Sequence, residues 1–192
     1  MWNSSSERRH SSPRSSSENE RELSFIYEPT EQGERGSLRP IVIDGSNVAY
    51  CHGDDKDFSM RGIEIVVDDF NNRGYEKEMI VVVLPKKRHL PEMLKHCSEK
   101  CSFCFVPSRR HPGGEVINFH DDFYILNYAA KVGAVVVTRD SYRNHANNRS
   151  HPEWDEVISN RILVPKFVRD VLLWPEDPLG RNGPRFDEFL KF

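Results

Sequence analysis

The chain has 192 residues, of which 37% are hydrophobic and 30% are charged, and its formal net charge at pH 7 is -3. This composition suits one globular domain with a polar extension, and the weak negative charge excludes a generally basic nucleic-acid-binding protein. No apolar run approaches the length needed to span a membrane, and the first residues are rich in Ser and Arg where a secretory signal would be apolar. We therefore expect a soluble, intracellular protein.

The chain divides into two predicted units. Residues 1–37 are rich in Ser, Arg and Glu and have few apolar residues, which predicts a disordered tail that cannot offset the entropy cost of ordering. Residues 38–192 carry the regular apolar patterns and form the predicted folded domain.

The first apolar run of this domain, Ile41–Ile43, is β-branched and ends at Asp44-Gly45. This pattern predicts a buried parallel strand that delivers a carboxylate to the carboxyl edge of a sheet, where ligands bind in open α/β folds. A strand followed by Asp-Gly is also typical of a hairpin turn, so that alternative stays open at this point.

Apolar runs with strand character and segments with helical spacing alternate through the rest of the domain. This alternation predicts an α/β fold with a central parallel sheet flanked by helices. A polar loop is expected over residues 51–57, and Gly74 and Gly133 are expected to end two of the helices. The predicted helices are residues 61–70, 91–100, 121–131, 152–160 and 186–190, and the further strands are residues 79–84, 103–106, 134–137 and 162–168.

Acidic residues follow the strands or begin a helix at three places: Asp44, the pair Asp121-Asp122, and Asp140. Parallel strands place Asp44 and Asp140 at one edge of the sheet, and the helix that begins at Asp121 starts from that same edge. Clustered carboxylates repel one another unless a cation neutralises them, and Mg²⁺ or Mn²⁺ prefers such oxygen ligands. The alternative is that Asp121 and Asp122 only favour a helix N-terminus and that Asp140 only begins a turn.

A metal ion held by these acids would support metal-assisted hydrolysis of a phosphodiester bond. The basic segment that precedes Asp121 favours a phosphate-bearing substrate, although such charges are often only solvated surface. Arg109 and Arg110 are the favoured phosphate contacts, because they lie on a loop just before the Asp pair, and Tyr142 and Arg143 are predicted to stack on or hold an unpaired nucleotide. The basic residues of this segment are Lys86, Lys87, Arg88, Lys95, Lys100, Arg109 and Arg110.

The chain has four cysteines, Cys51, Cys97, Cys101 and Cys104, and the last three form a candidate zinc cluster with His96. Three thiols and an imidazole are enough for a tetrahedral zinc site. Cys104 lies within an apolar run, however, and cysteine in such a setting packs as a small hydrophobic residue. The sequence therefore favours core packing over a structural zinc.

Seven ordered motifs together resemble the NYN/PIN-like domain of the Regnase (MCPIP) endoribonucleases over about residues 39–192. The resemblance implies a PIN-like (NYN) α/β domain that cleaves single-stranded or stem-loop RNA and depends on magnesium. It further implies action in the cytoplasm within mRNA decay or RNA-silencing complexes. The motifs are Asp44-Gly45-Ser46-Asn47-Val48-Ala49, His52-Gly53, Arg61-Gly62, Pro107-Ser108-Arg109-Arg110, Asp121-Asp122-Phe123, Asp140-Ser141-Tyr142-Arg143 and Asp177-Pro178-Leu179-Gly180-Arg181.

The resemblance also implies roles for single residues. Two positions depart from the family pattern. Asn144 stands where family members have a further Asp, which implies weaker metal binding, and Glu115 stands where they have a basic residue. The implied catalytic acids are Asp44, Asp122 and Asp140, with Asp121 as a further metal ligand; Asn47, Ser46 and Asn144 are supporting residues; Arg109 and Arg110 hold RNA.

The sequence thus predicts a Mg²⁺-dependent endoribonuclease, with Mn²⁺ as an alternative ion, RNA as substrate and protein partners in a decay or silencing complex. The competing hypotheses are an RNA-binding or scaffold subunit with little turnover, motivated by Asn144 and Glu115, and a structure-specific DNA nuclease. A homo-oligomer, and a location in RNA granules or the nucleus, are left open.

Overall fold

The computed structural model describes residues 33–86, 95–110, 116–118 and 121–192, with residues 108–110 and 116–118 described by their backbone alone. The strands in these ranges are β1 (Ile41–Asp44), β2 (Ile80–Pro85), β3 (Ser102–Val106), β4 (Ser108–Arg110), β5 (Val116–Asn118), β6 (Val135–Val137), β7 (Ile162–Leu163), β8 (Lys166–Val168) and β9 (Val171–Leu173). The α-helices are α1 (Gly45–His52), α2 (Met60–Asn72), α3 (Asp121–Val132), α4 (Trp154–Asn160) and α5 (Phe186–Phe189), and a 3₁₀ turn spans Lys77–Met79.

The central sheet has five strands in the order β3-β2-β1-β6-β7, and all of its neighbours pair in parallel. Residues Ile41–Ile43 of β1 and Ile80–Val83 of β2 are continuous β-branched runs, as expected for a parallel sheet that is covered on both faces. The predicted α/β fold with a central parallel sheet flanked by helices is confirmed.

Two apolar layers cover the two faces of this sheet. Alternate residues of β1 contribute to opposite layers, so Ile41 and Ile43 pack with α1 and α2 while Val42 packs with α3 and α4. Within α2, Ile63, Val66, Val67 and Phe70 form the predicted apolar face, and all four side chains are fully buried. Gly74 follows α2 with a φ of +90°, a left-handed conformation that glycine adopts without steric cost.

The order of the strands places the acids in a crevice. The chain moves from β1 outward through β2 to β3 and later returns to β6 on the other side of β1. The carboxyl ends of β1 and β6 therefore flank the point where the strand order reverses, which is the usual ligand site in open α/β sheets. Asp44 ends β1, and Thr138, Arg139 and Asp140 directly follow β6.

Two segments differ from the sequence prediction. Helix α1 begins directly after β1 and includes Cys51 and His52, so the predicted loop over residues 51–57 starts later. The predicted strand at residues 162–168 is wrong as one element, because only Ile162–Leu163 joins the central sheet. Pro165 has no N–H for a strand ladder, and beyond it β8 pairs instead with β9, an antiparallel partner that the sequence had not indicated.

Other predictions fall partly outside the described residues. Of the helix expected at 91–100, residues 91–94 lie outside them and residues 96–100 form turns. Residues 1–32 of the expected tail lie outside them as well, and the domain boundary at residue 38 stays a prediction. Just before that boundary, Gly36 donates to the carbonyl of Phe192 at 3.1 Å and the Phe192 N–H donates to Ser37 O at 3.0 Å. Among the helices of the described ranges, none is long and apolar enough to cross a membrane.

Candidate active site

Asp44 is fixed by the junction between β1 and α1. It is the N-cap of α1, and its Oδ1 accepts a hydrogen bond from the Asn47 N–H at 3.0 Å. Gly45 allows the junction to lie against the sheet, because a Cβ there would come within 2.9 Å of Leu84 and of the Val83 carbonyl. The Asp-Gly pair therefore marks a strand that passes directly into a helix, and the hairpin alternative does not apply.

Thr138 joins this carboxylate to the end of β6. Its Oγ1 donates to Asp44 Oδ2 at 3.1 Å and accepts from the Asp140 N–H at 3.0 Å. The Thr138 side chain is fully buried. One hydroxyl thus sets the position of two of the predicted catalytic acids relative to each other, a role that the sequence analysis missed.

Asn47 provides a second connection across the crevice. Its side-chain Oδ1 accepts from the Arg139 N–H at 2.8 Å, so the first turn of α1 holds the backbone between Thr138 and Asp140. Asn47 therefore lies beside the candidate acids, and its supporting role stays a prediction. Ser46 is half-buried on the same turn.

Asp140 shapes the turn that follows β6. Its Oδ1 accepts from the Tyr142 N–H at 2.8 Å, and Tyr142 has a φ of +47°. The Tyr142 side chain is fully buried, so it offers no face on which a base could stack. Arg143 and Asn144 are exposed on the same turn.

Asp121 and Asp122 begin α3, where the partial positive charge of a helix N-terminus favours acids. Asp122 Oδ2 lies 3.0 Å from His145 Nε2, and both side chains are about a fifth exposed. The His145 ring packs at 5.6 Å from that of Trp154, whose Nε1 donates to Asn127 on α3 at 2.9 Å. His145 thereby links the turn after β6 to the start of α3, and the sequence analysis did not single it out.

The candidate acids influence the titration of one another and of Tyr142. The pKa of Asp44 is raised from its ordinary value of 3.8 to about 7. Burial is the main cause, the two hydrogen bonds that the carboxylate accepts lower the pKa, and the nearby charges of Asp122 and Asp121 raise it. The pKa of Tyr142 is also raised, first by burial and then by the charges of Asp44, Asp122 and Asp140. A buried carboxylate beside other acids is a site that a cation would stabilise.

The donor set suits a hard divalent cation. Within the described ranges, no three His, Cys, Asp or Glu side chains are already grouped closely enough to hold an ion together. Mg²⁺ commonly takes one or two protein carboxylates and fills its other positions with water and substrate phosphate. Asp44 and its acidic neighbours meet that smaller requirement, so the residues present fit the ion.

The predicted RNA-contacting arginines lie on a separate two-stranded sheet. Arg109 and Arg110 belong to β4, which follows β3 after Pro107 and pairs antiparallel with β5, Arg109 opposite Ile117. This position continues from the carboxyl edge of β3, on the same edge of the sheet as Asp44. Glu115 lies outside the described residues.

The cysteines do not meet at one point. Cys97 and Cys101 are buried in the layer that contains α2, whereas Cys104 is buried on the opposite face of the sheet. Burial raises the pKa of Cys97 to about 11 and that of Cys101 to about 12, so both thiols are protonated at neutral pH. These three side chains pack as core residues.

The geometry agrees with comparisons to known proteins. Residues 37–188 match the Zc3h12a-like ribonuclease NYN domain. The crystal structure of nuclear proteinaceous RNase P 2 (PRORP2) from Arabidopsis thaliana is similar, with a TM-score of 0.53, 20% identity, and coverage of 85% of this chain and 33% of that one. A second structure of the same plant protein gives a TM-score of 0.49 at 20% identity, covering 74% and 31% of the two chains.

At 20% identity the PRORP2 likeness concerns the fold alone, and this chain spans about a third of PRORP2. The family match covers most of the chain and includes Asp44, Asp121, Asp122 and Asp140. The chain therefore belongs to the family of Zc3h12a-like ribonuclease NYN domains.

Proposed function

We propose that this chain is a Mg²⁺-dependent endoribonuclease of the Regnase type that hydrolyses phosphodiester bonds in single-stranded or stem-loop RNA. The observation that carries the proposal is the Asp44 carboxyl, which Thr138 connects to Asp140 by hydrogen bonds. Burial raises the pKa of this carboxyl, and the charges of Asp122 and Asp121 add to the rise. Membership in a ribonuclease family supplies the substrate class.

Asp44, Asp122 and Asp140 are the residues that would hold the ion, with Asp121 beside them. A bound Mg²⁺ or Mn²⁺ would supply the chemistry of orienting and activating a water and neutralising charge on the departing oxygen. The protein's own contribution is positional. Thr138 and Asn47 fix the ends of β1 and β6, and His145 orients the carboxylate of Asp122.

Arginines would supply the contacts to the RNA backbone. Arg109 and Arg110 leave the sheet at the edge where the acids lie, and Arg143 is exposed on the turn after Asp140. Arginine is suited to this role because its planar guanidinium binds phosphate oxygens in pairs. Tyr142 is buried in an apolar cluster, so it acts as a packing residue and not as an RNA contact.

The test is cleavage of end-labelled single-stranded RNA with Mg²⁺ or Mn²⁺ by the full chain and by Asp140→Asn. A matched control is Asp187→Asn, since Asp187 is an exposed acid on α5. We expect metal-dependent internal cleavage that is lost in Asp140→Asn, while binding of the RNA and the activity of the control are retained. Faster cutting of DNA flaps than of RNA would instead establish the DNA nuclease.

A second candidate, an RNA-binding scaffold with little turnover, is favoured by one pair of observations. Asn144 presents an exposed amide where the related family has an acid, and no three-ligand group is already formed in the described part of the chain. RNA binding without metal-dependent cleavage, in both Mg²⁺ and Mn²⁺, would establish this candidate.

The cellular setting follows from the same proposal. We place the protein in the cytoplasm, in a complex for mRNA decay or RNA silencing, with protein partners that help to choose the RNA. Fractionation followed by size analysis of the native complex tests this, and a nuclear protein that migrates as a lone chain would contradict it.

A further inference from the structure

Arg139 stands between two residues of the candidate site, Thr138 and Asp140. Its backbone N–H donates to Asn47, and its guanidinium forms an ion pair with Asp55 and a side-chain contact with Cys51. The Arg139 side chain is 38% exposed and that of Asp55 is 63% exposed. The Arg139 guanidinium, a group suited to binding phosphate, therefore lies next in sequence to Asp140 and is already paired with Asp55.

Asp55 belongs to the loop between α1 and α2. Asp54 and Asp55 both have left-handed backbones, with φ values of +57° and +60°, and the Asp55 N–H donates to Tyr50 O at 2.8 Å. Aspartate and asparagine tolerate this conformation better than other non-glycine residues. The neighbouring Asp54 has a different partner, because its Oδ2 binds Lys56 Nζ at 3.1 Å within the loop.

We propose that Arg139 is a phosphate-binding residue of the RNA site and that Asp55 occupies it until RNA arrives. The inference rests on the proposed function, since it assigns part of the RNA contact beside Asp140. Exposed ion pairs are weak because water screens them, so a phosphate that offers two oxygens to the guanidinium can replace the Asp55 carboxylate at small cost. Asp55 then acts as a competitor that sets the affinity for RNA.

The test measures binding of a fluorescent single-stranded RNA to the full chain without divalent ions, so that no cleavage occurs. Arg139→Gln is expected to weaken binding by about 5-fold and to lower the slope of log affinity against log salt by about one. Asp55→Asn is expected to tighten binding by about 3-fold, because asparagine keeps the backbone conformation and releases the arginine. In the double variant, the gain from Asp55→Asn is expected to vanish.

Asp54→Asn is the matched control, because it removes one negative charge from the same loop and leaves Arg139 engaged. An equal gain from Asp54→Asn would show only general repulsion and would overturn the inference. Opposite changes in affinity from Arg139→Gln and Asp55→Asn support it. If the Arg139–Asp55 ion pair only stabilised the fold, both variants would shift the affinity for RNA in the same direction and would lower the melting temperature.

If Arg139→Gln fails to fold, Arg139→Lys is measured instead. Lysine keeps the charge and loses the planar fork, so binding about 2-fold weaker than that of the unaltered chain is expected, and unchanged binding at an unchanged salt slope would count against the inference. Because this experiment measures RNA binding and not cleavage, it can contradict the role of Arg139 without contradicting the proposed endoribonuclease activity. Coupling between Asp55 and Arg139 without any cleavage would leave this inference standing and remove the enzyme, and cleavage without coupling would do the reverse.

Discussion

Two regions of this molecule collect acidic side chains, and they treat them differently. Along the outer side of α2, acids are paired with bases at the surface, as in Lys100 Nζ with Asp68 Oδ1 at 2.6 Å and Arg73 Nε with Asp69 Oδ2 at 2.7 Å. At the carboxyl edge of β1, Asp44 is buried, bound by a hydroxyl and a backbone N–H, and surrounded by further acids. The charge of aspartate is thus balanced by a basic partner beside α2, whereas the pKa of Asp44 is raised at the end of β1.

The difference shows what identifies the site. A cleft of about 390 Å³ lies beside α2 and is lined by both acids and bases, among them Glu64, Asp68 and Lys100. The free energy of an ionised carboxylate depends on burial and on the sign of the neighbouring charges, and the shape of a cleft reveals neither. Like charges close together at the end of a strand indicate a cation site.

The largest effect is expected at Asp44. Asp44→Asn keeps the N-cap and removes the charge that would hold the ion, so cleavage of RNA should fall by about 100-fold or more. Binding of Mn²⁺, measured through the relaxation rate of water protons, should weaken in the same variant. Retained Mn²⁺ binding with normal cleavage would remove Asp44 from the site and with it the contrast between the two regions.

The same substitution should raise stability at high pH. A carboxyl whose pKa is higher in the folded chain than in the unfolded chain favours the fold most below about pH 4, where both states are protonated. Between about pH 4 and pH 7 the unfolded chain loses this proton while the folded chain keeps it, so stability falls as the pH rises, and the contribution is lost above about pH 7. A rise from 3.8 to about 7 corresponds to at most about 4 kcal/mol.

Urea unfolding in the presence of a chelator checks this second prediction. The unaltered chain should lose stability between pH 4 and pH 8 relative to Asp44→Asn, and the two should converge at pH 4. Equal stabilities at pH 8 would show that the Asp44 carboxyl is no more costly to ionise than an exposed acid.

A smaller effect is expected at His145, which contacts Asp122 without being an acid of the edge. His145→Ala should lower cleavage by about 10-fold, because the carboxylate loses the partner that orients it. His145→Gln retains a donor and should recover part of the loss. If alanine and glutamine give the same rate, the hydrogen bond to Asp122 is not what matters.

The smallest effect is expected on the outer side of α2. Asp68→Asn removes the partner of Lys100, and because these side chains are 42% and 48% exposed, the change in the free energy of unfolding should not exceed about 1 kcal/mol. RNA cleavage and Mn²⁺ binding should be unchanged. A loss of cleavage comparable to that of Asp44→Asn would mean that burial and charge do not distinguish the candidate site from the paired surface acids.

Much of the fold could be predicted from local pattern. Apolar runs and turn residues are enough to predict that Asp44 and Asp140 follow strands and that Asp121 begins a helix. The alternation of these elements also predicts the parallel sheet. The strand at residues 162–168 was predicted wrongly, because pattern did not show that Pro165 would redirect the chain into a separate antiparallel pair.

The amino-acid sequence by itself determined which segments are buried and which end of each strand carries an acid, because periodicity and turn residues act over a few neighbouring positions. Only the tertiary structure decided how those acids are held. Thr138 meets Asp44 across 94 positions, His145 meets Asp122 across 23, and Arg139 meets Asp55 across 84. Contacts at such separations are set by the packing of layers and not by local spacing, and burial of the kind that raises the pKa of Asp44 exists only once those layers close.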